Sequence, residues 1–243
     1  MAQYRLDRLL AEAAGIPRAE ARRAILKGQV ALDGAVCRRP DQKAQDTAAL
    51  ALAGRPLRWQ KYVYLMLDKP QGVVSASRDG RDTTVADLVR AQYPRRELFP
   101  AGRLDKDSTG FVLLTDDGAF AHDLLAPKRH VDKVYEVLLD APVTAGMLAG
   151  FAAGVVLADG EAMLPAGLKA DPANPCRATV VLHQGVYHQI KRMFGVFGAG
   201  VCALRRVAIG GVPLDPALGP GGSRPLTGEE LARLRAACAA AGK

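Results

Sequence analysis

Two carboxylates, two residues apart, are the first candidates for chemistry. Asp105 and Asp107 lie in the segment GRLDKDSTGF, between apolar stretches and beside Arg103. Composition alone favours a plain interpretation, in which Asp105 is a turn residue paired with the arginine. Carboxylates at this spacing can also bind a metal ion, but no histidine or further carboxylate lies nearby in the chain, so no metal site is predicted. A glycosidase-type pair of acids is a further possibility, although Asp107 is better placed as a loop residue.

Motifs of other enzyme classes are incomplete. The segment 198–203 (GAGVCA) formally fits a dinucleotide-binding pattern, but it follows a predicted helix rather than a strand. The sequence contains no P-loop, HExxH or GxSxG motif and no plausible Ser/His/Asp triad. The histidines are expected to be structural or to face RNA rather than to bind metal; they are His122, His130, His183 and His188.

The elements that must position these carboxylates are strands mixed with helices. Strands are predicted over residues 62–67, 111–115, 133–139, 178–182 and 203–209. Helices are predicted over 84–91, 119–125, 187–197 and 228–240. Because regular βαβ alternation is missing, the pattern predicts an α+β fold with a largely antiparallel sheet.

The first 46 residues have a pattern of their own. Apolar spacing predicts a helix from Arg5 that stops at Gly15, and a second helix from Pro17 to Lys27 with Gly28 as its cap. The dipeptide Asp33-Gly34 then predicts a β-hairpin with a type I′ turn. We expect a small domain over 1–46, a linker with some strand character over 47–60, and a larger domain over 61–243.

Positive charge is concentrated in this front part. Residues 1–61 hold 12 Lys and Arg against 6 Asp and Glu, whereas the other 182 residues hold 21 against 19, for a formal net charge of +8. A basic protein of this kind often binds a polyanion. The sequence has no apolar run of membrane-spanning length and no signal peptide, and its four cysteines are widely spaced. We therefore expect no membrane association and a reducing, cytoplasmic location.

Two resemblances sharpen this interpretation. The segment RLDRLLAEAAGIPRAEARRAILKGQVALDGAV, within residues 3–46, resembles an S4 domain, a small RNA-binding module whose second helix and following loop face RNA. Residues 101–118 (AGRLDKDSTGFVLLTDDG) resemble the signature GRLDxxTxGLLLLTxDG of pseudouridine synthases. The motifs LDKPQG, KVYEV, YHQIKRMF and RRVAIGG follow that family's pattern in order. The S4 segment and the sequence after TDDG favour its small-subunit, RsuA-type branch, whose members modify 16S ribosomal RNA.

The second resemblance implies a catalytic set. The aspartate of GRLD corresponds to Asp105, and the tyrosine that stacks on the target base and assists proton removal from C5 corresponds to Tyr135. The basic residue that pairs with the aspartate corresponds to Lys191. The implied substrate pocket contains Arg103, Leu104 and Leu204, and the implied RNA-binding residues are Arg5, Arg18, Arg22, Arg23, Lys27, His188 and Arg192. One departure is visible, because Val186 replaces an arginine that usually precedes the Tyr-His pair.

The implied reaction is the isomerisation of a uridine. It breaks the N1–C1′ bond, turns the base and rejoins it through C5, without oxidation or group transfer, so no cofactor or metal is expected. Attack of the aspartate on C1′, attack on C6 and elimination all stay open. The expected partner is ribosomal RNA and the expected oligomeric state is a monomer. The alternatives are a large-subunit ribosomal RNA synthase of the same family and a non-catalytic S4 protein of ribosome assembly, which would be expected to lose at least one catalytic residue.

Overall fold

The chain folds as two units that interleave along the sequence. The first contains residues up to Tyr62 together with Gln92–Arg96, and the second contains Val63–Ala91 and the chain from Glu97 onward. The computed structural model describes residues 3–240. The outer ends of the expected domains, at residues 1 and 243, therefore lie outside the described part of the chain.

Two helices of the first unit bury the apolar positions that the sequence spacing indicates. After β1 (Gln3–Arg5), α1 (Leu6–Ala14) buries Leu6, Leu9 and Leu10 and ends at Gly15, whose φ is +65°. Helix α2 (Arg18–Leu26) begins after Pro17 and buries Ala21 and Ile25. A left-handed residue after the last helical turn suits glycine, which has no Cβ to clash. The two predicted helices are confirmed.

The same unit contains a four-stranded antiparallel sheet in the order β3-β2-β5-β6 and a separate pair β1-β4. Its strands are β2 (Val30–Leu32), β3 (Ala35–Cys37), β4 (Lys43–Gln45), β5 (Leu50–Leu52) and β6 (Arg55–Leu57). Asp33 and Gly34 have φ values of +50° and +84°, so the predicted hairpin with two left-handed turn residues is confirmed.

The segment 47–60, expected to be a linker with some strand character, contains two paired strands. Leu50–Leu52 pairs with β2 in full register and Arg55–Leu57 pairs with β5, so this segment completes the sheet. A second hairpin forms because Ala53 and Gly54 both adopt positive φ. Pro56 is tolerated because β6 is an edge strand, where its missing N–H does not interrupt a ladder.

Residues 92–96 belong to this first unit, and their arginine side chains bond to its backbone. The Arg96 guanidinium donates to the carbonyl oxygens of Gln60 at 2.6 Å and Lys61 at 2.9 Å, and Arg95 donates to the carbonyl of Ile16. The unit is therefore built from two separate stretches of sequence.

The second unit is built on a nine-stranded sheet. Seven strands follow the order β11-β12-β10-β13-β9-β7-β15, with β14 on β13 and β8 on β9. Every pair is antiparallel except β9–β13, which confirms the α+β class. The elements are β7 (Tyr64–Lys69), α3 (Asp87–Arg90), β8 (Phe99–Pro100), β9 (Thr109–Thr115), α4 (Gly118–Leu125), β10 (Lys133–Leu139), α5 (Ala145–Ala153), β11 (Gly167–Asp171), β12 (Asn174–Leu182), α6 (Gln189–Val196), β13 (Val201–Ile209), β14 (Val212–Pro213), β15 (Ser223–Pro225) and α7 (Gly228–Ala240).

Helices cover the sheet with apolar side chains. Phe111 and Leu113 of β9 pack in one cluster with Leu124 of α4 and Leu234 of α7. Elsewhere in the unit, the rings of Phe151 on α5 and Phe194 on α6 lie 4.7 Å apart. Within residues 3–240, no helix has both the length and the apolar character needed to cross a membrane.

Candidate active site

Asp105 lies on the loop that precedes β9, and hydrogen bonds hold the backbone of this loop in place. The preceding residue, Leu104, is buried, and its N–H donates to Ser75 Oγ at 3.0 Å while the same hydroxyl donates to its carbonyl at 2.8 Å. The amide of Ser108 donates to the carbonyl of Asp105 at 3.1 Å. The Asp105 side chain is 27% exposed. The loop therefore presents a partly buried carboxylate on a constrained backbone.

A buried lysine supports this loop from β7. Lys69 is fully buried, and its Nζ donates to the carbonyls of Ser108 at 2.6 Å, Pro70 at 3.1 Å and Lys106 at 3.3 Å. Three carbonyl acceptors match the three donors of an ammonium group. Burial lowers the pKa of Lys69 to about 8, whereas the charges of nearby aspartates act in the opposite direction. Lys69, which belongs to the LDKPQG motif, thus holds the backbone of the loop that carries Asp105.

A buried arginine supports the loop from β13. Arg206 is 2% exposed, and its Nε donates to the carbonyl of Phe111 at 2.6 Å. Its Nη1 lies 3.5 Å from the carbonyl of Arg103, two residues before Asp105. Among the described residues its Nη2 has no hydrogen-bond partner. The guanidinium carbon also lies 5.9 Å from the ring centroid of Tyr135. Arg206 therefore links the tyrosine to the loop.

Lys191 brings both carboxylates of the loop to one ammonium group. Its Nζ lies 2.8 Å from each Asp107 oxygen and 3.2 Å from Asp105 Oδ2. Burial acts to lower the pKa of Lys191, but hydrogen bonds to Asp107 and Asp105 outweigh burial and raise it. The hydrogen bonds from Lys191 lower the pKa of Asp107. The lysine thus stays charged and contacts both side chains of the loop.

His188 is a further neighbour of Asp105. Its Nε2 lies 3.3 Å from Asp105 Oδ1, whereas Lys191 contacts the other carboxylate oxygen, Oδ2. His188 is the residue immediately before α6 and has a left-handed backbone, with φ +50° and ψ +30°. Its ring is stacked on that of Tyr187, with centroids 3.8 Å apart.

Tyr135 and Leu204 lie on neighbouring strands and share one sheet face. Tyr135 pairs with Arg206 and Val137 pairs with Leu204 across β10 and β13. Directly opposed residues of an antiparallel pair point to the same side of the sheet. Both side chains are largely buried, at 7% and 9% exposure. The structure therefore places Tyr135 and Leu204 beside Arg206, while Asp105 and Lys191 contact each other directly.

The expected RNA-binding residues fall into two groups. Arg22, Arg23 and Lys27 are exposed on or just after α2. The others have carboxylate partners. Arg5 and Arg18 pair with the buried Asp7 at 3.0 and 2.9 Å, and Arg192 pairs with Asp159 at 2.6 Å and Glu161 at 2.9 Å. Arg103, which the resemblance places in the substrate pocket, is exposed. Val186, which replaces the usual arginine, donates its amide N–H to the side chain of Gln189 at 3.2 Å.

Three residues make contacts at this site that the sequence did not indicate. Asp107 lies in the loop as expected but also pairs with Lys191, and Arg206 contacts the carbonyl of Arg103. His188 lies beside Asp105, and its expected contact with RNA stays a prediction. One signal was present, because His188 and Lys191 are three residues apart and neighbouring turns of a helix bring such positions together. Within residues 3–240, no group of three or more His, Cys, Asp or Glu side chains is arranged to hold a metal ion.

Comparison with known proteins supports the assignment of both units. The RNA pseudouridylate synthase family matches residues 63–195, and the S4 domain family matches residues 5–47. An uncharacterised RNA pseudouridine synthase of Bacillus subtilis is 41% identical over 230 residues, covering 93% of this chain and 96% of that protein. Ribosomal small subunit pseudouridine synthase A of Salmonella typhimurium is 40% identical over 230 residues, covering 94% and 98%.

A solved structure agrees with these sequence matches. A crystal structure of a pseudouridylate synthase superposes with a TM-score of 0.66 at 35% identity, covering 95% of this chain and 99% of that one. The protein is thus an RNA-binding enzyme whose chain contains an S4 domain and a catalytic domain. The chain belongs to the RNA pseudouridylate synthase family, whose members are isomerases.

Proposed function

We propose that the protein converts one uridine of small-subunit ribosomal RNA to pseudouridine, with Asp105 as its catalytic carboxylate. The observation that carries this proposal is the position of Asp105 between Lys191 and His188, at 3.2 and 3.3 Å, on a loop held by two buried cations. A carboxylate that is preorganised in this way needs little rearrangement when the substrate arrives.

The reaction needs a group that assists cleavage of the glycosidic bond. In the proposed reaction, the carboxylate of Asp105 acts on the ribose or the base while the N1–C1′ bond breaks. The base then turns, C5 bonds to C1′, and the proton on C5 leaves while N1 gains one, so product and substrate are isomers. Lys191 Nζ lies 3.2 Å from Asp105 Oδ2, so the ammonium group can hold this carboxylate in place by a charge-assisted hydrogen bond.

The proposed role of Tyr135 is to stack on the target base and to assist loss of the C5 proton. Its ring is backed by the guanidinium of Arg206, which restricts the orientation of the tyrosine. Leu204 supplies an apolar wall on the same sheet face. Removing the uridine from its stack costs a few kcal/mol, and stacking on an aromatic ring offsets part of that cost. Leu104 and Arg103 complete the proposed pocket through their place on the loop.

The choice of small-subunit RNA rests on the curated relatives. The Salmonella relative is named as a ribosomal small subunit enzyme, and matches of 37–41% identity to proteins of that name recur in Pseudomonas aeruginosa and Vibrio cholerae. The proposal places the protein in the cytoplasm, where ribosomes assemble, and takes a monomer as the active form. The exposed basic residues of α2 are the proposed RNA contacts of the S4 domain.

The proposal is tested by mapping pseudouridines in both ribosomal RNAs from a deletion strain and after complementation. A single small-subunit pseudouridine is expected to disappear on deletion and to return with the wild-type gene. Asp105→Asn is expected to reduce turnover at least about 1,000-fold, while RNA binding survives. Asp132→Asn is the control, because Asp132 also pairs with a histidine, His183, at 2.8 Å. Near-normal turnover by Asp105→Asn would exclude its catalytic role, and loss of a large-subunit pseudouridine instead would overturn the choice of RNA.

A further inference from the structure

Tyr187 exposes an aromatic ring next to the catalytic carboxylate. The residue is 73% exposed. One face of its ring is stacked on His188, with centroids 3.8 Å apart and an angle of 17° between the planes. Because His188 Nε2 lies 3.3 Å from Asp105 Oδ1, only one imidazole ring separates Tyr187 from the proposed catalytic group.

The backbone is shaped to produce this stack. Consecutive side chains point to opposite faces of a strand and do not face each other on a helix. Here the left-handed conformation of His188, at φ +50° and ψ +30°, allows the rings of residues 187 and 188 to lie face to face. A residue with a Cβ adopts this conformation at some cost, so the surrounding structure must hold it there.

Arg192 supplies that support. Its amide donates to the carbonyl of His188 at 2.9 Å, and its Nη1 lies 3.3 Å from the carbonyl of Tyr187. The same guanidinium pairs with Asp159 at 2.6 Å and Glu161 at 2.9 Å, which anchors α6 to the loop between α5 and β11. Arg192 therefore holds the backbone of both stacked residues, although the Tyr187 side chain itself is mostly in solvent.

We propose that Tyr187, backed by His188, is a stacking platform for the nucleobase adjacent to the target uridine. The inference rests on the proposed function, because it assumes that a uridine reaches Asp105. When a uridine leaves its stack, the neighbouring base loses a stacking partner. An open aromatic face close to the carboxylate replaces that partner and accepts any base, because every base has a π-face. The platform thus stabilises the flipped state of the RNA without reading its sequence.

The experiment uses the full-length protein and a ribosomal RNA fragment that it protects from nuclease. The fluorescent base 2-aminopurine is placed on either side of the target uridine, and its quenching reports stacking. Tyr187→Ala is expected to abolish the quenching on one side and to weaken binding roughly 5- to 100-fold. Tyr187→Phe keeps an aromatic ring and is expected to retain the quenching. Val156→Ala, at an apolar residue that is 64% exposed, is the control for general surface effects.

A matching change in the RNA completes the test. An abasic site in place of the adjacent nucleotide is expected to weaken binding to the wild type but not to Tyr187→Ala, since both changes remove the same contact. Unaltered quenching and binding by Tyr187→Ala, while the wild type forms pseudouridine normally, would overturn the platform and leave the proposed function intact. Tyr187-dependent quenching without pseudouridine formation would support the platform and contradict the proposed function.

Discussion

Gly110 and Arg206 lie side by side in the parallel pair of β9 and β13, with no room for a side chain between them. A Cβ on Gly110 would collide with the carbonyl oxygen of Arg206 and lie 2.8 Å from its amide nitrogen. The φ of Gly110 is +100°, which residues with a Cβ rarely adopt. Lys69 pairs with the same glycine from β7. The strand that follows the Asp105 loop is thus flanked on both sides by the buried cations that hold the loop.

Gly110→Ala is therefore expected to destabilise the second unit by roughly 2–5 kcal/mol, from backbone strain and a clash that the sheet cannot relieve. The free energy of unfolding in urea measures the effect. Gly72→Ala is the matched control, because Gly72 has a φ of +86° but no atom within 4 Å of an added Cβ. Its expected loss is about 1–2 kcal/mol. Equal losses in the two variants would show that the close approach to Arg206 carries no cost.

Asp107→Asn is expected to lower kcat roughly 10-fold without raising KM, because it removes the closest anchor of Lys191 and leaves the ammonium poorly placed against Asp105. Removing one negative charge should also not weaken binding of a polyanion. Steady-state kinetics on the mapped RNA separate the two parameters. Asp123→Asn serves as control, since it breaks a surface pair with Arg129, at 3.4 Å, that lies outside this loop. Wild-type kcat in Asp107→Asn would show that Lys191 is positioned without it.

Acid stability should depend on Glu230 at the start of α7. Arg224 forms two hydrogen bonds to this carboxylate, at 2.7 and 2.8 Å, and with the amide of Thr227 they lower the pKa of Glu230 from 4.5 to about 2, although burial opposes the shift. A carboxyl group with a lowered pKa stabilises the fold above its ordinary pKa and loses that contribution as the pH falls.

The ionised Glu230 contributes up to about 3 kcal/mol of stability above about pH 4.5, and this contribution is lost as the pH falls to about 2. Glu230→Gln should therefore flatten the fall in stability over this pH range. Unfolding curves at a series of pH values measure this slope. Glu229→Gln, at the exposed neighbouring position, should leave it unchanged. The same slope in both variants would contradict a stabilising role for the Arg224 pair.

The exposed arginines of α2 should contribute salt-dependent affinity for RNA. Arg22→Ala combined with Arg23→Ala is expected to reduce the slope of log affinity against log salt by about one unit for each lost phosphate contact. Arg8→Ala is the control, because Arg8 already pairs with Glu12 at 2.8 Å. Binding titrations at several salt concentrations give the slopes. If the double variant keeps the wild-type slope, this helix does not contact phosphates.

Local rules predicted much of the fold where a short segment determines its own structure. The stop at Gly15, the Asp33-Gly34 hairpin and the bounds of β10 and α7 follow from residue types and spacing. Helix α5 (Ala145–Ala153) was missed because its sequence, AGMLAGFAA, is apolar on every side and lacks the alternation that marks a helix face. The strands within 47–60 were obscured by Gly54 and Pro56, which suit an edge hairpin as well as a linker.

The site was predictable only in part. The GRLD motif identified Asp105, and the family resemblance paired it with Lys191, which the structure places 3.2 Å away. The ion pair between Asp107 and Lys191 joins residues 84 positions apart in the sequence, and no local pattern predicts a contact over such a separation. Likewise, the contact of Arg206 with the carbonyl of Arg103 depends on which strands are neighbours in the sheet. The contact between Asp105 and Lys191 is observed, but the assignment of Asp105, Tyr135 and Lys191 to catalysis stays a prediction.

The first unit is built from two separate stretches of sequence, and this limits how its RNA-binding domain can be exchanged between proteins. Residues 92–96 belong to this unit although the chain on either side of them belongs to the other, and Arg96 bonds to the carbonyls of Gln60 and Lys61. A gene fusion that replaced residues 1–62 with another RNA-binding module would leave this returning segment without its acceptors. Successful shuffling of RNA-binding modules in this lineage would have to transfer two separate stretches of sequence together.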